Sequence, residues 1–216
     1  MTGERLLGRL RGWTAVFSLA MWALPASALA QQAQPAADVA RRGMLSVSSG
    51  IFWPSAQPFR DLYGSVQPPL TVQFDWRIQR RLTVFGGARW IWAHGKTVSV
   101  EASTPDERFP ITLGIRSLRA GARVSAPAGA LDLSFGAGAT VNTYQEDWPA
   151  AGLTGKGTRA GFLVQAAAAR ELGRRLSVVA RVEYGWVSGV PSQGPETVTK
   201  VNLGGLDVTV GLGIRF

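Results

Sequence analysis

The clearest pattern in the chain is its last segment, Leu206-Asp207-Val208-Thr209-Val210-Gly211-Leu212-Gly213-Ile214-Arg215-Phe216. Every even position is apolar, and every odd one is polar, charged or Gly. A period of two is the signature of a strand with one apolar and one polar face. The same alternation recurs upstream. Leu70, Val72, Phe74, Trp76 and Ile78 oppose Thr71, Gln73, Asp75 and Arg77. Leu131, Leu133, Phe135, Ala137, Ala139 and Val141 oppose Asp132, Ser134, Gly136, Gly138 and Thr140. Leu176, Val178, Ala180, Val182, Tyr184 and Trp186 oppose Ser177, Val179, Arg181, Glu183 and Gly185.

Eight strands follow, over 44–53, 69–78, 82–93, 111–125, 130–142, 159–171, 176–188 and 201–216. Turns at 79–81, 126–129 and 172–175 are tight, and Pro127, Gly129 and Gly173 suit them. Connections at 54–68, 94–110, 143–158 and 189–200 are longer and carry most of the Pro. Several strands reach the roughly 9–11 tilted residues that cross a bilayer. Short turns at one end and long loops at the other are the arrangement of a transmembrane barrel. The fourth strand breaks parity: Ile111, Leu113 and Ile115 are odd, whereas Leu118, Ala120, Ala122 and Val124 are even. This predicts a bulge near Arg116–Ser117. Across the tight turns, Arg123 is expected opposite Asp132, and Gln165 opposite Arg181.

The N-terminus sets the expected compartment. Arg5, Arg9 and Arg11 precede an apolar run from Trp13 to Ala26, and Ala28-Leu29-Ala30 offers a small-residue cleavage site. Residues 1–30 read as a signal peptide cleaved after Ala30, residues 31–42 as a flexible lead-in, and residues 43–216 as the barrel. Cleavage removes three Arg and one Glu, which takes the net charge from +9 to +7. The chain has no Cys, so neither a disulfide framework nor a Cys-based metal site is possible. No motif for a nucleotide, a phosphate loop or a metal appears, and no cofactor is expected. The basic balance raises nucleic acid as a partner, but the compartment argues against it.

Alternation also fits a soluble ligand-carrying barrel with its apolar face inward. Two features favour the membrane form. The polar face is rich in Gly, which suits a crowded lumen. The apolar-face aromatics also sort by height: Trp53, Trp90, Trp92, Tyr184 and Trp186 fall at the long-loop end, and Trp76 and Phe216 at the other. Two such belts mark two membrane interfaces.

On these residues the chain resembles the small eight-stranded outer-membrane β-barrel proteins, the OmpA-like barrel domain and its relatives. The resemblance covers residues 43–216. It implies an all-β, antiparallel, up-and-down transmembrane barrel, monomeric, in the outer membrane of a Gram-negative-type bacterium. It also implies that Val208, Val210, Leu212, Ile214 and Phe216 form the signal read by the barrel-assembly machinery, after passage through the Sec translocon and periplasmic chaperones. No peptidoglycan-binding domain is expected after the last strand, so tethering to the cell wall is not implied.

The polar face gathers Asp75, Arg77, Arg89, Arg119, Arg123, Asp132, Arg181, Glu183, Asp207 and Arg215 at lumen parity. One reading is a polar plug, since an eight-stranded lumen is just wide enough for side chains. The other is a narrow pore that favours anions, with six Arg against four acids. A lipid A-modifying enzyme is a third reading. His94 lies at the long-loop rim, but Gly95 and Lys96 follow it, and no Ser stands two residues away. Ser99 or Ser103 reaches it only through loop folding, so no catalytic pair is assigned. Arg41-Arg42, Arg80-Arg81 and Arg174-Arg175 fall at the short-turn rim, placed for anionic lipid headgroups. Glu101, Asp106, Glu107, Glu146 and Asp147 in the loops are candidates for divalent cations that bridge lipopolysaccharide. The expected role is structural or surface interaction by a barrel with a charged, mostly closed lumen, and the expected partners are outer-membrane lipid and lipopolysaccharide.

Overall fold

In the computed structural model the described residues are 42–98, 108–187, 190–191 and 200–216. The proposed signal peptide and its cleavage site lie outside them, as do Arg41, Ser99, Glu101, Ser103, Asp106 and Glu107. Eight antiparallel strands close into one barrel: β1 (Gly43–Pro54), β2 (Pro69–Arg77), β3 (Leu82–Val98), β4 (Arg108–Ala128), β5 (Leu131–Trp148), β6 (Leu153–Glu171), β7 (Leu176–Val187) and β10 (Gly205–Arg215). Each barrel strand pairs with its neighbour in sequence, and β10 closes on β1 from Met44↔Arg215 to Pro54↔Gly205. Two short pieces, β8 (Val190–Pro191) and β9 (Lys200–Val201), form a separate ribbon in the last long connection. No helix among the described residues is long and apolar enough to cross a membrane.

The fold follows from the alternation. Leu45, Val47, Leu70, Phe74, Leu118, Phe135, Phe162, Val210, Leu212 and Ile214 all turn outward and are exposed. Buried Ser, Thr, Gln, Asp, Glu and Arg turn inward. A soluble barrel would reverse these two faces. Lumen glycines make room for long neighbours. Gly121 faces Gly138, and a Cβ at Gly121 would lie 2.6 Å from Phe85 Cζ.

Several local expectations need correction. β4 has no bulge: its register to β3 is continuous from Val98↔Arg108 to Leu82↔Val124. Odd residues face inward along the whole strand, so Ile111, Leu113 and Ile115 are lumen residues, each at most 5% exposed. The parity break is real in hydrophobicity but not in backbone, because the lumen itself changes character with height. Ladder hydrogen bonds do not depend on side-chain polarity, so an apolar lumen tier needs no extra residue.

The β4–β5 turn is a two-residue turn at Gly129-Ala130, with Gly129 at φ 64°. That register sets Arg123 against Gly136 and Asp132 against Pro127, so Arg123 and Asp132 are not opposite. Likewise Gln165 faces Glu183, and Arg181 faces Ala167. The segments 94–110 and 143–158 are not simply loops. β3 continues to Val98, β5 to Trp148, and β6 begins at Leu153. Strands β3 to β6 run 17 to 21 residues, against 9 to 12 for β1, β2, β7 and β10. One side of the barrel therefore rises as a four-stranded sheet above the other.

Candidate functional site: the lumen and the raised sheet

The lumen has two tiers. At the long-loop end Phe52, Ile91, Ala93, Ile111, Leu113, Ile115, Val187 and Leu203 pack into an apolar cluster. Phe59 and Tyr63 join it from helix α1 (Gln57–Tyr63), in the first long connection. A seven-residue helix is marginal alone, so packing must hold it. Phe59 meets Phe52 edge-on at 6.4 Å and Tyr63 at 5.1 Å. Arg60 donates to the Pro54 and Ser55 carbonyls at 2.8 Å, and Gln67 donates to the Tyr63 carbonyl. The Tyr63 hydroxyl donates to Glu146 on the raised sheet. Burial first, and the Glu146 carboxylate second, hold this phenol protonated and raise its pKa.

Below this cluster the ten charged residues singled out from the pattern all point inward, and most are paired. Arg119 meets Glu183 at 2.7 Å, with both side chains 3% exposed. Arg123 meets Asp75 at 3.0 Å, Arg77 meets Asp132 at 3.0 Å, and Arg89 pairs with Asp207. Arg215 pairs at 2.5 Å with Glu171, a partner that lies at the β6–β7 turn and that parity did not flag. Arg89 also marks the seam between tiers, with its guanidinium 5.1 Å from the Phe52 ring centre. Ser117 and Asn142 extend the network there: Arg89 donates to Ser117 at 3.2 Å, and Ser117 donates to Asn142 at 2.6 Å. Buried ions need such partners, because an isolated one is costly in low dielectric.

At the short-turn end the lumen opens into a cavity of about 40 Å3, lined by Asp75, Arg77, Arg123, Asp132, Ala167 and Val179 among others. The lumen is therefore charged and accessible at one end, and apolar and filled at the other. Charged side chains occupy the lower tier and apolar ones the upper. Sequence reading missed the upper tier. Its signals were Ile111, Leu113 and Ile115 out of phase, Ile91 between two Trp, and Phe59 and Tyr63 spaced four apart.

On the outside, Trp53, Trp92 and Trp186 are exposed near the long-loop end, with Trp90 and Tyr184 half-buried. Tyr184 and Trp186 pack at 4.6 Å. At the other end Phe74 stacks between Trp76 and Phe216, each 6.1 Å away. Val208, Val210, Leu212, Ile214 and Phe216 share the outward face of β10.

Above Trp90 and Trp92 the outer face of the raised sheet is polar. Register sets Trp90, Arg116, Thr143 and Thr158 in one row, and Trp92, Gly114, Gln145 and Lys156 in the next. His94 and Lys96 continue β3 above them, both exposed. No hydrogen bond joins His94 to a nucleophile among the described residues, and its cross-strand neighbour is Thr112. Glu146 is engaged by Tyr63, and Asp147 by Gln145 and Thr154. Among the described residues no three acidic or imidazole groups converge on a metal position. At the short-turn rim Arg42, Arg80, Arg81, Arg174 and Arg175 are exposed.

Solved structures share this architecture. They include Neisserial surface protein A, with TM-score 0.57 and 13% identity over 81% of this chain and 97% of that one. OprG from Pseudomonas aeruginosa matches with TM-score 0.57 and 14% identity, over 82% and 97%. A major outer membrane protein from Thermus thermophilus matches with TM-score 0.52 and 14% identity, over 81% and 99%. Identities this low carry the fold and nothing finer. The chain thus has the fold of small outer-membrane barrel proteins. No protein-family model matches the sequence, and neither does any curated protein.

Proposed function

We propose that this chain is a monomeric, integral outer-membrane barrel that does not conduct, and that its raised sheet contacts the surface lipid. The observation that carries the reading is the sorting of the two faces. Apolar side chains point out between two aromatic belts, and charge points in. Only a hydrocarbon surrounding rewards that sorting.

The surface role rests on the outer face of β3 to β6. Arg116 and Lys156 share register rows with Trp90 and Trp92, and His94 and Lys96 continue β3 beyond them, where the headgroups of the outer leaflet would lie. Arg and Lys with neighbouring Thr hydroxyls can donate to phosphate oxygens. Lipopolysaccharide presents such groups at that height. The arginines at the opposite rim would meet anionic phospholipid of the inner leaflet.

A pore that favours anions is the alternative, supported by the inward Arg and the open lower cavity. Against it, ions would have to pass the apolar cluster from Phe52 to Leu203, and dry constrictions block conduction. A lipid-modifying enzyme finds less support, because His94 lacks a positioned partner.

Planar-bilayer recording of refolded residues 31–216 tests the reading. A silent bilayer from protein that runs as a compact band unboiled is the expected result. Reproducible conductance steps that change with Arg119→Gln or Arg181→Gln would overturn it in favour of the pore.

A further inference from the structure

Arg181 is the exception in the lower lumen. It is 3% exposed, yet no carboxylate lies within ion-pair distance among the described residues. Its Nη1 and Nη2 donate to the Ser48 and Ser46 hydroxyls at 3.4 Å, and its Nε finds no acceptor. The charged groups around it are Asp75, Glu183, Arg119 and Arg123. Both acids are already committed, Asp75 to Arg123 and Glu183 to Arg119. Three guanidiniums thus face two carboxylates, and one positive charge is left over inside the barrel.

The hydrogen-bond balance leans the same way. Arg119 Nε and Nη2, Arg123 Nε and Nη1, Arg181 Nε and Gln165 Nε2 are buried donors without a protein acceptor. Unpartnered acceptors nearby are fewer: Glu183 Oε2, Gln165 Oε1 and Asp207 Oδ1, since Asp75 Oδ2 is the atom that Arg123 meets at 3.0 Å. Gln165 is 1% exposed and faces Glu183, one lumen position along β7 from Arg181. Water can satisfy donors, but it does not neutralise a charge in a low-dielectric interior.

The site also has an entrance. Ala167, directly across from Arg181, and Val179, two residues away on the same strand, line the lower cavity together with Asp75 and Arg123. The cavity is small, about 40 Å3. Arg181 and Gln165 lie beyond its lining, so an ion must pass closely packed side chains to reach them, which favours a halide or a short carboxylate over a large oxyanion. The nearby Asp75 and Glu183 would further repel a doubly charged ligand.

We infer that the lumen holds one small monovalent anion, a halide or a short carboxylate, against Arg181 with Arg123 and Gln165 as co-donors, entering from the short-turn end. The ion completes the charge network and ties β4, β6 and β7 together across the lumen. A bound ion at a dead end differs from a conducted one, so a silent bilayer is compatible with it.

The test is thermal unfolding of the refolded barrel, followed by circular dichroism, at constant ionic strength. Sodium chloride, bromide and formate are each exchanged against gluconate, a much larger carboxylate. The unfolding midpoint should rise and saturate with chloride or bromide, and the formate arm tells whether a short carboxylate can replace the halide. Arg181→Gln should abolish the dependence. Crystals grown in bromide should show an anomalous peak beside Arg181. Identical midpoints in halide, formate and gluconate, or a rise that never saturates, would overturn the site. If Arg181→Gln fails to refold, the bromide peak in the unmodified protein decides alone: a peak at Arg181 supports the site and its absence removes it.

Discussion

Arg119 and Glu183 show how a single lumen residue contributes. Each is nearly inaccessible, and each is the other's only ion-pair partner among the described residues. Removing one leaves an uncompensated buried charge, which costs about 3–5 kcal/mol, whereas replacing both by apolar residues of similar volume is often neutral. Arg119→Met should therefore lower the unfolding free energy by about that amount, and Glu183→Met added to it should restore most of the loss. Urea unfolding of the two variants and the parent, in one lipid, measures both effects. Tyr63 gives a second test at this scale. Its pKa is raised in the folded protein. The stability linked to it is fully present below the unfolded value of about 10 and is lost as pH rises beyond that. Between about pH 9 and pH 11 the parent should lose stability that Tyr63→Phe does not lose, read as the difference in their urea midpoints.

Among elements, the raised sheet of β3 to β6 and the short helix α1 do the most to distinguish this barrel. The outward row Trp90, Arg116, Thr143, Thr158 and its neighbour ending in Lys156 bring together residues that are far apart in sequence. If they hold lipid phosphate, Arg116→Ser with Lys156→Ser should remove the extra stability that lipopolysaccharide confers over neutral phospholipid. It should leave stability in the neutral bilayer within about 0.5 kcal/mol, as for other exposed substitutions. Equal lipopolysaccharide dependence in parent and double variant would count against the contact. Helix α1 was not legible as a helix. It is short and lacks a capping side chain, and only its Phe59 and Tyr63 spacing hints at a packed face. Its position comes from the cluster it fills.

For the whole molecule, the consequence is a lumen with one accessible end. The lack of Cys makes this easy to read, since a single introduced thiol is the only one present. Ala169→Cys, in the lower cavity, should react with a small water-soluble maleimide in the folded protein. Ile115→Cys, in the apolar tier and 1% exposed, should react only after unfolding. Comparable labelling of both in the folded barrel would mean that the upper tier is not sealed.

The strand count, the antiparallel order and, outside β4, the outward and inward faces were determined by the sequence alone. Each is a local property: alternation, turn residues and strand length act within one hairpin. What required the tertiary structure was everything set by register and closure. Arg123 meets Asp75 from across the barrel and not Asp132 from across its own turn, because the two-residue turn shifts the pairing and long side chains then span the lumen. The odd-parity Ile111, Leu113 and Ile115 become a sealed tier only when β1, β3 and α1 bring Phe52, Ile91 and Phe59 to the same height. Arg181 becomes an unmatched charge only once every nearby acid has found another partner, and that is a property of the closed barrel and of no segment within it.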